Sequence, residues 1–367
     1  MKILITGGHL GPALAVIDEI GNQADLVFVG RKFDLDREKT YSLEYQEIAK
    51  KNIRFYNLQT GRITRLLSLK LILNLIKIPL GLYQSLVILL NEKPSLILSF
   101  GGYIGFPICL TGFILKIPIF SHEQTLKPGL TNRLTGILAK KIFLAFPETK
   151  KFFPASKVIV CGNPVRKTVL GIRKIPFKIE KTKPLIYVTG GSIGSHSVNV
   201  HIENILQQLL EKYIVIHQTG KISKYADYRR LIEKRKKLPE NLKKNYYLRE
   251  HFLADEIGSI YSLSDLVVGR SGANTVFELI AWKKPAVLIP LPWSANREQL
   301  EHAKLMQKSG VSDIFLQSKS SNHLLLLIEK TMANITNYKN NFKNVQLLYK
   351  ENAAKIIVKT ILSQSVS

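Results

Sequence analysis

A chain of 367 residues is longer than one hydrophobic core usually serves, so two domains are expected. Hydrophobic residues at 46% against 22% charged exclude a disordered chain. The formal charge of +26, from 53 Lys and Arg against 27 Asp and Glu, draws phosphate-rich partners and leaves nucleic acid, anionic lipid and phosphorylated substrate open.

The chain begins with "KILITGGHLGPALAVIDEI": a β-branched strand, the pair Gly7-Gly8, then His9 and a helical pattern. A strand at the start, rather than a charged segment and an apolar helix, predicts no signal peptide and implies a cytosolic chain. "DLVFVG", "SLILSFG", "IPIFSHE", "KIFLAF" and "VIVCGNP" follow, alternating with helical stretches. That order predicts successive βα units and a parallel sheet. Cys109 and Cys161 lie in apolar runs, which predicts buried thiols rather than a disulfide or a metal site.

Residues 66–90, "LLSLKLILNLIKIPLGLYQSLVILL", stand apart as Leu- and Ile-rich. Lys70, Asn74, Lys77, Pro79 and Gln84 interrupt any apolar run of the roughly 18–20 residues that a membrane span needs. Two readings remain. One is a buried helical hairpin of the first domain. The other is partial insertion at a bilayer surface, helped by Arg62, Arg65, Lys70 and Lys77.

After "KIPFKIEKTKP" the pattern restarts with "LIYVTG", "YIVIHQTG", "YYLREHF", "DLVVGRSG" and "PAVLIPL". The halves open alike, with "ILITGGHLGPALAV" and "LIYVTGGSIGSHSVN", which predicts an α/β protein of two Rossmann-like domains facing across a cleft. Ligands of open parallel sheets sit at the carboxyl ends of the strands, so that cleft is the expected site. The expected division is 1–165, 166–340 and a terminal helix, 341–367. The segment "KISKYADYRRLIEKRKKLPENLKKNYYLR" is rich in Lys, Arg and Tyr. It reads either as a track for a phosphate backbone or as the solvated face of a helix and its loop.

A glycine turn after a first strand raises the question of a nicotinamide cofactor, but "GGHLG" lacks the G-x-G-x-x-G spacing and "VFVGRK" ends without an acidic residue for a ribose. No G-x-x-x-x-G-K-[ST] loop occurs either. What remains is general: glycine brings backbone close to an oxyanion, and the next helix aims free N–H groups and its positive end at it. "TGGSIGS", with Gly190, Gly191 and Ser192, has this form. "GRSGANTVFELIA" repeats it, with Glu278 placed to accept two hydrogen bonds from a ribose diol. No Asp-x-Asp pair stands out, so metal-independent chemistry without a cofactor is expected, with loosely held magnesium on a diphosphate left open.

The order and wording of further motifs resemble the MurG family of UDP-N-acetylglucosamine transferases. These are "SFGGYIGFP", "HEQTLKPGLTNR", "AFPET", "GNPVR", "GGSIGSHSVN", "HQTGK", "RSGANTVFE" and "REQLEHA", spread over nearly the whole chain. The resemblance implies a two-domain GT-B fold, an undecaprenyl-linked muramoyl-pentapeptide acceptor on the first domain and the UDP-sugar on the second. It further implies peripheral attachment at the cytoplasmic face of the plasma membrane through an anionic surface, and no nucleic acid partner. By that resemblance Glu278 holds the donor ribose, and Ala273, Asn274, Thr275, Val276 and Phe277 line the helix start at the nucleotide. Ser192 contacts the diphosphate, Leu253 lies beside the uracil through backbone groups, Gln299 recognises the sugar, and Arg166 reaches the nucleotide. Gly7, Gly8, Gly101, Gly102, Tyr103, Gly190 and Gly191 form the acceptor and diphosphate loops.

Two departures from the family stand out. Its first loop reads G-G-T-G-G-H, and three of those residues are missing before Gly7-Gly8-His9, which shortens the cradle expected for the acceptor diphosphate. Its H-E-Q-N is "HEQT" here, so Thr125 offers one hydroxyl at a donor-sugar position where Asn would offer two donors and an acceptor. The expected reaction is an inverting displacement with His9 as general base, a role suited to a ring titrating near neutral pH. His122 and Glu123 compete for that role. A related glycosyltransferase with another lipid acceptor is the alternative reading, and a basic nucleic-acid-binding protein a more distant one.

Overall fold

The structure is a computed structural model that describes residues 1–34, 37–61, 69–191, 193–220 and 225–363, with only the backbone path at 34, 37–40 and 69–76. It divides into two compact units, Met1–Arg166 with Lys350–Ser367, and Lys167–Tyr349.

The strands of the first unit are β1 (Lys2–Thr6), β2 (Asp25–Gly30), β3 (Phe33–Asp34), β4 (Arg37–Tyr41), β5 (Arg54–Asn57), β6 (Leu96–Ser99), β7 (Ile119–Glu123), β8 (Lys141–Leu144) and β9 (Val158–Val160). Among the described residues, β3 and β4 pair as an antiparallel hairpin and the others form a seven-stranded parallel sheet ordered β5-β2-β1-β6-β7-β8-β9. Strands β6 and β7 are buried throughout, as their unbroken apolar runs require when helices cover both faces. The chain moves outward from β1 to β2 and β5, then returns to pair β6 on the other edge of β1. That reversal opens a crevice at the carboxyl ends of β1 and β6.

The second unit repeats the plan with β10 (Leu185–Thr189), β11 (Ile214–Gln218), β12 (Tyr246–Arg249), β13 (Leu266–Gly269), β14 (Ala286–Leu288) and β15 (Ser312–Ile314). Its sheet, ordered β12-β11-β10-β13-β14-β15, is again parallel, with the reversal between β10 and β13. The two Rossmann-like sheets expected from the sequence are therefore present, and each aims its strand ends at the loops singled out above.

On one face of the first sheet, helix Leu10–Ile20 shares a core with the terminal helix Ala353–Leu362 through Ala13, Val16, Ile357 and Ile361. The segment 341–367, expected as one terminal piece, is divided between the units. Phe342 and Val345 are buried in the second unit, while the apolar stripe of Ala353–Leu362 belongs to the first. On the other face lie Ile88 and Leu89 of helix Leu69–Glu92 and Ile104, Ile108 and Cys109 of helix Gly102–Ile114. Cys109 and Cys161 are free, and burial pushes both thiols up to about 12.

The hairpin expected across 66–90 is instead one continuous helix, Leu69–Glu92, with Pro79 inside it. A proline there costs about 3 kcal/mol. Seating Ile88 and Leu89 against the sheet recovers about 1.5–3 kcal/mol for each, so the helix runs on. Arg62 and Arg65 lie outside the described residues, as does the side chain of Lys70. Among the described residues no helix is long and apolar enough to cross a membrane.

The basic segment of the second unit is largely engaged within its own fold. Arg230 pairs with Glu203 at 2.6 Å and with Asp227 at 2.9 Å, and Arg235 donates to the Tyr246 carbonyl at 2.9 Å. Lys236 pairs with Glu233 and Lys243 with Glu240.

Candidate functional site

In the first unit, β1 runs into Gly7-Gly8 and then into helix Leu10–Ile20, with half-buried His9 as its N-cap residue in extended conformation. The neighbouring strand β6 ends in Gly101-Gly102-Tyr103, which start helix Gly102–Ile114. The two turns touch backbone to backbone. A Cβ at Gly8, whose φ is +146°, would stand 2.3 Å from the Gly101 carbonyl oxygen, so only glycine fits. Thr6 donates to Ser99 at 3.0 Å just below, which fixes the strands that carry the turns.

Asn132 and Glu123 support the second turn from beneath. The Gly102 amide donates to Asn132 Oδ1 at 3.1 Å, and Asn132 Nδ2 donates to Glu123 Oε2 at 2.7 Å. Glu123 also accepts from the amide and the hydroxyl of Thr125, at 2.7 and 2.8 Å. Burial raises its pKa, while these donors oppose the rise. Thr125 is thus buried with its hydroxyl turned to Glu123, rather than offered to a sugar. His122 is fully buried, 3.4 Å from the Gly162 carbonyl oxygen, and burial pushes it down to about 3. A ring held neutral and away from solvent is a poor proton acceptor for an incoming hydroxyl, and the clamped Glu123 is no better placed. Arg166 lies 3.8 Å from Glu47 within the first unit.

In the second unit, β10 leads through Gly190 and Gly191 to helix His196–Asn204. Ser192, in the middle of that turn, lies outside the described residues. Gly194, with φ +96°, packs so close that a Cβ would stand 2.3 Å from the Thr219 carbonyl oxygen. Gln218 at the end of β11 holds the Gly191 carbonyl at 3.0 Å and accepts from the Phe252 amide at 3.2 Å. From the end of β13, Arg270 reaches back to this turn, donating to Ser195 Oγ at 2.7 Å, Ser197 Oγ at 2.8 Å and the Ile289 carbonyl at 3.0 Å. Burial lowers the guanidinium to about 10, so it stays charged at neutral pH, and no carboxylate pairs with it among the described residues. A desolvated cation served only by neutral groups is electrostatically undersatisfied and favours an anion beside it.

Gly272 caps helix Ala273–Trp282, which carries Glu278. Tyr261 donates to Glu278 Oε2 at 2.8 Å and so fixes the rotamer of that half-buried carboxylate. Asn274 and Thr275 are half-buried at the helix start, whereas Ala273, Val276 and Phe277 point into the core. The Leu253 amide is taken by Glu256 Oε2 at 2.8 Å, so the backbone donor expected there is spent on the helix it begins. Gln299 is half-buried, its side-chain oxygen accepting from the Leu291 amide at 3.0 Å and its carbonyl from Ser271 Oγ at 2.7 Å.

Sequence reasoning missed three residues here. Arg270 was signalled by a lone charge at the end of the apolar run "LVVG", and Asn132 by the amide within "GLTNR". Glu44, whose carboxylate lies beneath the first glycine turn, has no local signal.

Comparison with known proteins agrees with this fold. The N-terminal domain of glycosyltransferase family 28 matches residues 6–144 and its C-terminal domain matches 185–361. The UDP-N-acetylglucosamine--N-acetylmuramyl-(pentapeptide) pyrophosphoryl-undecaprenol N-acetylglucosamine transferase of Treponema denticola is 32% identical, over 85% of this chain and 82% of its own length. The Clostridium kluyveri protein of the same name is 31% identical over 89% of both chains. Among solved structures, Acinetobacter baumannii MurG superposes with a TM-score of 0.73 at 24% identity, covering 99% of each chain, a likeness of fold.

Proposed function

The chain belongs to the family of these N-acetylglucosamine transferases, within glycosyltransferase family 28, and from that premise we propose how it works. It moves N-acetylglucosamine from UDP-N-acetylglucosamine to the muramoyl-pentapeptide carried on undecaprenyl pyrophosphate, the lipid I to lipid II step of peptidoglycan synthesis. The observation that carries the reading is Arg270, a buried guanidinium without a carboxylate partner among the described residues, aimed at the glycine turn that begins helix His196–Asn204.

The donor diphosphate lies against that turn, where backbone amides, the helix N-terminus and Arg270 meet its charge. Glu278, oriented by the Tyr261 hydroxyl, accepts from the ribose hydroxyls. Asn274 and Thr275 face the same ligand from the start of their helix. The sugar hydroxyl of the acceptor attacks the anomeric carbon, the bond from that carbon to the diphosphate oxygen breaks with its electron pair, and configuration inverts. His9, the N-cap residue of helix Leu10–Ile20, takes the hydroxyl proton as general base. The growing negative charge on UDP is what Arg270 and the turn stabilise as the bond breaks.

The first unit also docks on an anionic membrane surface at the cytoplasmic face. Leu80, Tyr83, Val87 and Leu90 form an exposed apolar stripe along helix Leu69–Glu92. Phe113 and Ile114 end the helix packed beside it, and Leu130, Leu134 and Ile137 line the outer face of the next, Leu130–Leu138. Exposed Lys77, Lys93, Lys116 and Lys140 lie on or beside the same elements. Apolar area rimmed by cations suits peripheral attachment to anionic lipid.

Purified protein supplied with labelled UDP-N-acetylglucosamine and a short-chain muramoyl-pentapeptide lipid tests the reading. Transfer is expected from the wild type and lost in His9→Ala and Glu278→Ala, with donor binding weakened chiefly in Glu278→Ala. Wild-type protein that binds UDP but transfers no sugar to this acceptor would refute it.

A further inference from the structure

The helix that follows the glycine turn of the second unit is held from the side by a buried carboxylate. Asp227 opens helix Asp227–Lys236, while His196 and Asn199 lie one turn apart on helix His196–Asn204. Since a carboxylate can only accept, His196 Nδ1 donates to Asp227 Oδ1 at 2.7 Å, and Asn199 Nδ2 donates to Oδ2 at 2.8 Å. Arg230 adds a donor to Oδ1 at 2.9 Å, and Tyr225 stacks on the His196 ring with centroids 4.0 Å apart. Asn199 Nδ2 also donates to the Thr219 carbonyl at 3.0 Å, the same oxygen that leaves no room for a Cβ at Gly194. Ala226, just before Asp227, takes the left-handed backbone at φ +48°, a strain borne to begin the helix there.

Counting hydrogens fixes the direction of every bond in this network. Both hydrogens of the Asn199 amide are spent, on Thr219 and Asp227, so its Oδ1 accepts from His217 Nε2 at 3.0 Å. Burial lowers His217 to about 3, so the ring is neutral with one hydrogen, and its Nδ1 accepts from the Tyr246 hydroxyl at 2.9 Å. Donation therefore runs one way, from Tyr246 to His217 to Asn199, and ends on Asp227. A carboxylate this near a turn that receives a diphosphate repels the ligand, and Arg230, shared with Glu203, offsets part of that. Its use must lie in geometry. We infer that Asp227 is a positioning residue for the donor: by holding His196 and Asn199 it fixes the first turn of helix His196–Asn204, whose N-terminal amides meet the diphosphate. The inference rests on the proposed seat of the donor diphosphate and deepens it.

The test compares full-length wild type, Asp227→Ala, Asp227→Asn, His196→Ala and the double variant Asp227→Ala/His196→Ala by UDP affinity, by donor and acceptor KM, and by nitrogen NMR of the histidine rings at about pH 8. Wild-type His196 should carry its hydrogen on Nδ1, and Asp227→Ala should lose that preference. Asp227→Ala should weaken UDP binding and raise donor KM about 10-fold or more, the scale of a small misplacement of binding groups, with acceptor KM within about twofold. Asp227→Asn keeps one acceptor oxygen and should fall between wild type and Asp227→Ala. His196→Ala should cost about 3-fold, the loss of one hydrogen bond, and the double variant no more than Asp227→Ala alone, because both act through one contact. UDP affinity in Asp227→Ala equal to or tighter than wild type would overturn the inference. Additive losses in the double variant, which would mean that His196 meets the diphosphate independently, or a loss explained wholly by a smaller folded fraction would overturn it too. A wild type that binds no UDP would instead refute the proposed function, and the His196 ring would still decide whether Asp227 holds the helix.

Discussion

Arg270 donates to Ser195 at 2.7 Å across a sequence separation of 75, so the strand end that begins one glycine turn charges the other. Both residues flank the reversal between β10 and β13, where an open sheet leaves room for a ligand. Removing the guanidinium should weaken UDP binding about 10- to 100-fold, the range for losing one or two hydrogen bonds to a charged group. Calorimetric titration of Arg270→Ala with UDP measures this. Arg270→Lys should recover only part of the affinity, because a single ammonium cannot span Ser195, Ser197 and a phosphate together. Wild-type affinity in Arg270→Ala would show that the diphosphate is held elsewhere.

Three buried histidines should make the protein acid-sensitive. Burial lowers His122 and His217 to about 3 and His302 to about 4, against an ordinary 6.5 in the unfolded chain. Between those values the unfolded state binds more protons, so stability is full above about pH 6.5 and is lost as pH falls through the window toward 4 and 3. Each ring alone tilts stability by up to about 1.4 kcal/mol per pH unit there. The urea midpoint should therefore fall steadily from pH 7 to 5, and in proton NMR these three rings should not titrate between pH 5 and 8. A ring signal assigned to His122 with a midpoint near 6.5 would contradict its burial.

The apolar stripe gives a prediction separable from catalysis. Tyr83→Ser and Ile137→Ser remove exposed apolar side chains from two helices of the first unit. At about 1.5–3 kcal/mol for each side chain seated in lipid, either change should cut partitioning onto anionic vesicles roughly 10-fold or more. UDP affinity should be unchanged. Co-sedimentation with vesicles rich in phosphatidylglycerol reads the effect, and equal sedimentation of wild type and both variants would remove this face from the docking surface.

Much of the protein was legible in its residues because the signals are local. An unbroken run such as "SLILSFG" has few ways to bury itself other than as a central parallel strand, and a glycine pair before a helix marks a turn at its carboxyl end. The order of the motifs along the chain carries the family resemblance without any long-range information. Of the two readings of 66–90 the helical hairpin fails, because Pro79 looks like a break when the gain from seating Ile88 and Leu89 on the sheet is out of view.

Tertiary structure decided which groups remain open to a ligand. Leu253, Thr125 and Gln299 carry the right chemistry in sequence, and in the fold Glu256 takes the Leu253 amide, Glu123 the Thr125 hydroxyl and the Leu291 amide the Gln299 side-chain oxygen. Arg270 acquires its role only when a distant strand brings Ser195 beside it. A sequence fixes what each side chain is able to donate or accept, through propensities and patterns that act over a few residues. Whether that capacity is already used depends on long-range packing, because a buried polar group must find its partner wherever the chain delivers one.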